Sequence, residues 1–434
     1  MPQIEDHPFR FTLANELHAR PFPQVETPCQ VAYLAVKPVT DAARRDRGRD
    51  WDHLLALLDR FGAAHPPKGA THHFADLGRF RLKWESHTEF VTYTAFLPGV
   101  GPRPFDPAAF DAFPSDWMDD VPGVRLTSVL LRVDHIPEDE ADINTRLGDW
   151  FVQESVACSR VPDAPAIVAT DFRIDSAGHM RMGVFAAPGA GRRRLGRTVQ
   201  RLCEIETYKA LSMLGFARAR KLSPEIGELD TRLSHLVEDM THGATSPAEA
   251  TLTSLLGISS ELEKLLVQSS FRFSATLAYE AIVHERIEVL REERMFGRQT
   301  LQEFMLRRFD PAMRTVKAAD ARLRNLAERS MRAGTLLSTR VDVERSAQNQ
   351  KLLESMDRRA DTQLRLQRTV EGLSVVAISY YAVGLVGNMA APLADPLGLE
   401  RGWMLALLTP PVVLAVWWAV HRIRERLTAP PPVG

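Results

Sequence analysis

Two uncharged apolar runs dominate the hydrophobic pattern, and both lie near the end of the chain: Gly372–Ala391 and Gly402–Val420. Each approaches the roughly 20 residues that a bilayer core requires of a helix. Only a short connection separates them, so the pattern predicts a two-helix transmembrane hairpin rather than a pair of buried core helices. Upstream, Asp310-Pro311 has the form of a helix start, with proline at the first helical position. No further proline occurs before Ala391, and Gly334 is the only glycine before Gly372. The spacing therefore predicts one helix, on the order of 120 Å long, running from a stalk into the first apolar run. Leu323, Leu326, Ser330, Ala333 and Leu337 form a heptad-like stripe on it, and an isolated helix of that length needs partners. A second stripe follows at spacings of four and three: Gln363, Gln367, Val370, Ser374, Ala377, Tyr381, Gly384 and Asn388. Polar groups are costly in lipid, so Ser374, Tyr381 and Asn388 should face protein or water. Two readings stand side by side. One is a packing seam of small residues; the other is a pore lining formed by Gln367, Ser374, Tyr381, Gly384 and Asn388 in a ring of identical chains.

The first 190 residues carry a different pattern. Trp51–Phe61 has helical periodicity, and Phe80–Glu85 and Glu89–Phe96 alternate as a hairpin would. Leu126–Val133, Ala166–Ile174 and His179–Ala186 read as further strands, and the proline-rich stretch Pro98–Pro114 as a loop. After the Pro188–Gly191 turn, helices are predicted over Arg193–Arg220, Pro224–Thr241 and roughly Pro247–Phe296. The expected fold is an α/β cytoplasmic domain (1–190), a helical bundle (191–310), a stalk helix (311–370), a transmembrane hairpin (371–421) and a cytoplasmic tail (422–434).

Charge fixes an orientation for the hairpin. Arg358, Arg359, Arg365 and Arg368 precede the first run, and Arg422, Arg424 and Arg426 follow the second. The connection carries only Arg401, beside Asp395 and Glu400. The positive-inside rule then places both flanks in the cytoplasm. Trp403, Trp417 and Trp418 fit the interfaces, and Pro410 and Pro411 should kink the second helix. No basic segment followed by an apolar run opens the sequence, so a signal peptide is not expected. A net charge of −1 leaves no basic footprint for nucleic acid. Three scattered cysteines (Cys29, Cys158 and Cys203) offer neither a disulfide framework nor metal-ligand spacing.

Chemistry-bearing motifs are few. His72, His73 and Asp76 are weak metal candidates, because adjacent histidines on a strand point to opposite faces. Glu16, His18 and Arg20 could do acid–base work or simply anchor the N-terminal segment. Gly189-Ala190-Gly191 precedes an arginine-rich helix start but lacks the Lys-Ser/Thr of a phosphate-binding loop, so a solvated basic turn is the better reading. No cofactor is indicated and no catalytic residue is identified, so an enzyme is not expected.

Four segments carry a family resemblance: NELHARPFP (Asn15–Pro23), HHFADLGRFRLKWESHTEF (His72–Phe90), EIETYKALSMLG (Glu204–Gly215) and the stretch Ser355–Gly387. They resemble a bacterial family of uncharacterised membrane-anchored proteins, domain of unknown function 3422. The likeness implies anchoring in the inner membrane but no activity. The layout is also similar to that of the CorA-type divalent-cation transporters, pentamers whose first span lines the pore and closes on a Gly-Met-Asn signature. Here that place reads Gly387-Asn388-Met389, the same composition in another order. This likeness implies a homo-oligomer, with five copies as in CorA, that conducts a divalent cation. The alternative is a membrane-anchored scaffold or sensor that conducts nothing.

Overall fold

The computed structural model describes residues 4–16, 21–241, 248–390 and 401–428. His18, Arg20, the side chain of Glu16 and the connection holding Asp395 and Glu400 lie outside them, as do the side chains of Arg401, Arg424 and Arg426. The elements in chain order are α1 (Arg10–Glu16), β1 (Cys29–Lys37), α2 (Arg47–Arg60), β2 (His72–Asp76), β3 (Arg81–Ser86), β4 (Val91–Pro98), α3 (Ser115–Asp119), β5 (Val124–His135), α4 (Ala141–Trp150), β6 (Ala157–Val161), β7 (Ala166–Ile174) and β8 (Met180–Ala186). Then follow α5 (Arg192–Thr241), α6 (Ala248–Glu288), β9 (Glu293–Arg294), α7 (Leu301–Arg308), α8 (Asp310–Ala390) and α9 (Arg401–Thr428). The chain divides into two compact units, Met1–Gly334 and Thr335–Gly434.

The first unit is built on one nine-stranded sheet of order β2-β3-β4-β1-β5-β8-β7-β6-β9. Neighbours are antiparallel except β5 and β8, which run parallel. Strand alternation sorts side chains onto two unlike faces. Ala32, Leu34, Val36, Leu82, Trp84, Tyr93 and Ala95 point to one, where α2 supplies Leu54, Leu57 and Leu58, and Phe113, Trp117, Ile143 and Leu147 complete an apolar core. The same alternation sends Tyr33, Lys37, Lys83, Glu85, Thr92, Thr94 and Thr127 to the other face. All seven are nevertheless buried. Helix α5 covers that face: Thr207 bonds the Tyr33 hydroxyl at 2.6 Å, and Gln200 accepts from Lys83 at 2.7 Å.

β1 is central and buried along nearly its whole length. A strand covered on both faces shows no polar alternation, which is why the sequence pattern conceals it. Helix α5 continues through Pro224, where the sequence predicts a break. Pro224 is solvent-exposed between buried Leu222 and Ile226, so the carbonyl it leaves unbonded can be met by water. Helices α5 and α6 approach closely: a Cβ on Gly215 would lie 2.0 Å from the Thr276 hydroxyl. The first stretch of α8 joins them. Ser330 bonds Ser259 on α6 at 2.6 Å, and Asp230 on α5 takes Arg322 at 2.8 Å and Arg329 at 2.9 Å. Leu323, Leu326, Ser330 and Ala333 are buried. The stripe expected to seek a partner is therefore covered by its own chain. The three cysteines are free and buried.

Candidate functional site

In the second unit, α8 and α9 are both long and apolar enough to cross a membrane. Only 11% and 6% of their apolar stretches are buried, which separates them from the core helices of the first unit. The two helices meet along a narrow seam. Gly387 faces α9 so closely that a Cβ there would fall 2.7 Å from Leu405 Cδ2, and Met404 and Ser379 are buried. Small residues permit this kind of approach between helices.

The five candidate lining residues lie off that seam. Gln367, Ser374, Tyr381, Gly384 and Asn388 are all exposed, Tyr381 at 73%. Ser374 returns its hydroxyl proton to the Val370 carbonyl at 2.8 Å, and Gln367 donates to Glu371 at 3.0 Å. Tyr381, Gly384 and Asn388 border one open groove with Tyr380 and Leu405. The continuous helix also extends the stripe beyond the part first read: Asn349, Leu353, Met356 and Ala360 keep the same spacing and are all exposed. Nine charged residues lie between Lys351 and Glu371, and none falls on the stripe. The signal was there in the sequence but was hidden by the charges flanking it.

In the first unit, the polar sheet face and α5 enclose a pocket lined by Pro23, Tyr33, Lys83, Glu85, His87, Phe90, Thr94, Phe96, Gln200, Cys203, Glu204 and Tyr208, among others. Lys83 reaches one Glu85 oxygen at 3.0 Å. Gln200 passes its amide proton to Glu204 at 2.7 Å, and Arg286 from α6 holds the other Glu204 oxygen at 2.5 Å. A second buried group adjoins it in sequence. Glu89, 1% exposed, accepts from Arg272 and from the Tyr279 hydroxyl on α6, with the Lys37 ammonium 3.8 Å away. Burial, then the Arg272 charge, depresses the Lys37 pKa. Burial raises the Tyr33 hydroxyl and the Cys203 thiol, so neither is an activated nucleophile.

The weak metal candidates sit on β2. His72 pairs with Glu85 and His73 with Trp84 across the ladder, while Asp76 accepts from the Gly78 amide at 2.9 Å. Among the described residues, no group of three or more His, Cys, Asp or Glu is gathered closely enough to hold a metal. Sequence reasoning also missed a Ser128–His179 pair at 2.9 Å. One Asp175 oxygen accepts from the amides of Ala177 and His179, so it fixes the turn that carries this histidine.

A family profile described as "Protein of unknown function (DUF3422)" matches residues 5–427. The chain belongs to this family. No curated protein matches it, and no solved structure does. Within the DUF3422 chain, three of the four resemblance segments converge on the first-unit pocket. Asn15–Pro23 brings Pro23, His72–Phe90 brings Lys83, Glu85, His87 and Phe90, and Glu204–Gly215 brings Glu204, Thr207 and Tyr208. The fourth, Ser355–Gly387, carries the exposed stripe.

Proposed function

We propose that this protein is a homo-oligomeric, membrane-anchored cation conduit of CorA-like layout, seated in the bacterial inner membrane with both termini cytoplasmic and regulated by its α/β domain. The observation that carries the reading is the uncharged stripe from Asn349 to Asn388. On the water side it exposes Leu353, Met356 and Val370; in the apolar run it exposes Ser374, Tyr381 and Asn388. The same face is too apolar for water at one end and too polar for lipid at the other. Protein along the whole face resolves both conflicts, and identical helices in parallel register meet on equivalent faces.

In such a ring the Asn388 carbonyls and Tyr381 hydroxyls replace part of an ion's hydration shell. Packing of α9 against Gly387 leaves the stripe turned elsewhere. The transported ion is the only small ligand this reading requires, and a divalent cation is proposed for it. The bilayer and further copies of the chain are the partners. Purified protein in vesicles should carry magnesium, zinc, cobalt or nickel faster than empty vesicles, and Asn388→Ala should change the flux or the selectivity. Wild-type vesicles with no excess flux would leave a non-conducting scaffold or sensor, the reading favoured by the departure of Gly387-Asn388-Met389 from the transporter signature.

A further inference from the structure

We propose that the cleft between the sheet body and the β9–α7 connector binds a phosphate-type dianion, with Arg298 and Arg307 as its ligands. Gln153 and Val156, in the connection from α4 into β6, form one wall; Arg294, Arg298, Glu303 and Arg307 form the other. None of these residues lines the pocket under α5.

The balance of charge carries the argument. Three guanidiniums line the cleft against a single carboxylate, and that carboxylate is already spent. One Glu303 oxygen accepts from the Thr300 amide at 3.0 Å, and the other pairs with Arg294. The remaining two arginines end on neutral amides. Arg298 donates through Nε and one Nη to Asn144 Oδ1 at 3.2 and 2.9 Å, and Arg307 donates to Gln299 Oε1 at 2.8 Å; among the described residues neither pairs with a carboxylate. The Gln299 amide nitrogen donates to the Ser155 and Val156 carbonyls at 3.2 and 3.3 Å, which turns its oxygen toward Arg307. An amide oxygen orients a guanidinium without neutralising it. Both arginines are thus positioned and left with their full charge, and an oxyanion supplies what is missing through paired N–H···O bonds. Two guanidiniums match two negative charges, hence a phosphate rather than chloride or a single carboxylate. The α7 amides take no part, because Glu292 and Thr300 already accept from Leu301, Gln302 and Glu303. Arg307 stands in the last turn of α7, and α8 starts at Asp310. A dianion bridging Arg298 and Arg307 therefore fastens the approach to α8 onto a turn anchored on α4.

The test uses the full chain in detergent and depends on neither oligomer state nor conduction. Titration calorimetry is run at a pH of about 8, where phosphate is largely a dianion, in chloride buffer of constant ionic strength. Inorganic phosphate, methyl phosphate and succinate are the probes. Both phosphates should bind saturably, one per chain, with the tighter of the two showing whether the group arrives free or as an ester. Succinate, equal in charge but not in shape, should bind more weakly. Arg298→Gln and Arg307→Gln should each weaken phosphate by about tenfold or more, while Arg49→Gln on α2 leaves it unchanged. Arg307 is solvent-exposed, so its variant should fold even where Arg298→Gln does not. No saturable heat with either phosphate, equal binding of succinate, undiminished binding in Arg307→Gln, or an equal loss in Arg49→Gln would each overturn the proposal.

Discussion

Gly196 and Gly227 both lie inside α5, yet a methyl group at the two positions should act in opposite directions. A Cβ on Gly196 would sit 1.7 Å from the Pro23 carbonyl oxygen, a backbone atom that cannot step aside alone. Gly196→Ala should therefore force Pro23 away from the helix and destabilise the fold by roughly 1–3 kcal/mol. Nothing lies within 4 Å of a Cβ on Gly227, so Gly227→Ala should stabilise by about 0.5–1 kcal/mol through helix propensity. Thermal denaturation of the two variants checks both signs. His53 supplies a second prediction at this scale. It lies between the Tyr93 hydroxyl at 2.8 Å and the Trp117 carbonyl at 2.9 Å, stacked on Trp117, and burial lowers its pKa. The carbonyl requires a donor at Nε2, so Nδ1 accepts from Tyr93 and the ring is neutral. Below a pH of about 6.5 the unfolded chain binds a proton that the folded chain refuses. Stability should fall as pH drops from there through the depressed folded value, and His53→Gln, which keeps one donor and one acceptor, should flatten that dependence.

The self-association proposed along the stripe concerns one element, α8. In membranes, Leu353→Cys and Gln367→Cys should each form disulfide-linked dimers under mild oxidation, whereas Arg358→Cys and Arg365→Cys, on the opposite side of the helix, should not. Cross-linking at all four sites, or at none, would remove the shared seam. The readability of elements from the sequence follows their burial. β7 and the start of α8 were clear because strand alternation and an Asp-Pro start are local signals. β1 stayed hidden because both its faces are covered, and β6 because it is only five residues long. The continuity of α5 was missed because Pro224 is punished only where its lost hydrogen bond is buried. The pocket was unreadable for another reason. Pro23, Lys83, Glu85 and Glu204 come from distant segments, and only the sheet order brings them together.

For the whole molecule, the arginine flanks predict that reporters fused after Thr428 and within 392–400 fall on opposite sides of the membrane; a periplasmic C-terminus would remove the proposed orientation. A chain ending at Arg368 lacks both apolar stretches and should remain soluble, with a helix-rich circular dichroism spectrum and a cooperative melt. A poorly helical product would show that α5, α6 and the early part of α8 do not hold together as one unit. The burial of the three cysteines has a further consequence, for redox chemistry. Burial pushes the Cys29 and Cys158 thiols up to about 12 and raises Cys203 as well. At neutral pH the reactive thiolate is then scarce at all three sites. Peroxide and maleimide alike should pass these three thiols by, so a cysteine introduced on the surface reports alone among the thiols without removal of the native three, and an oxidative burst falls on exposed methionines such as Met331 instead.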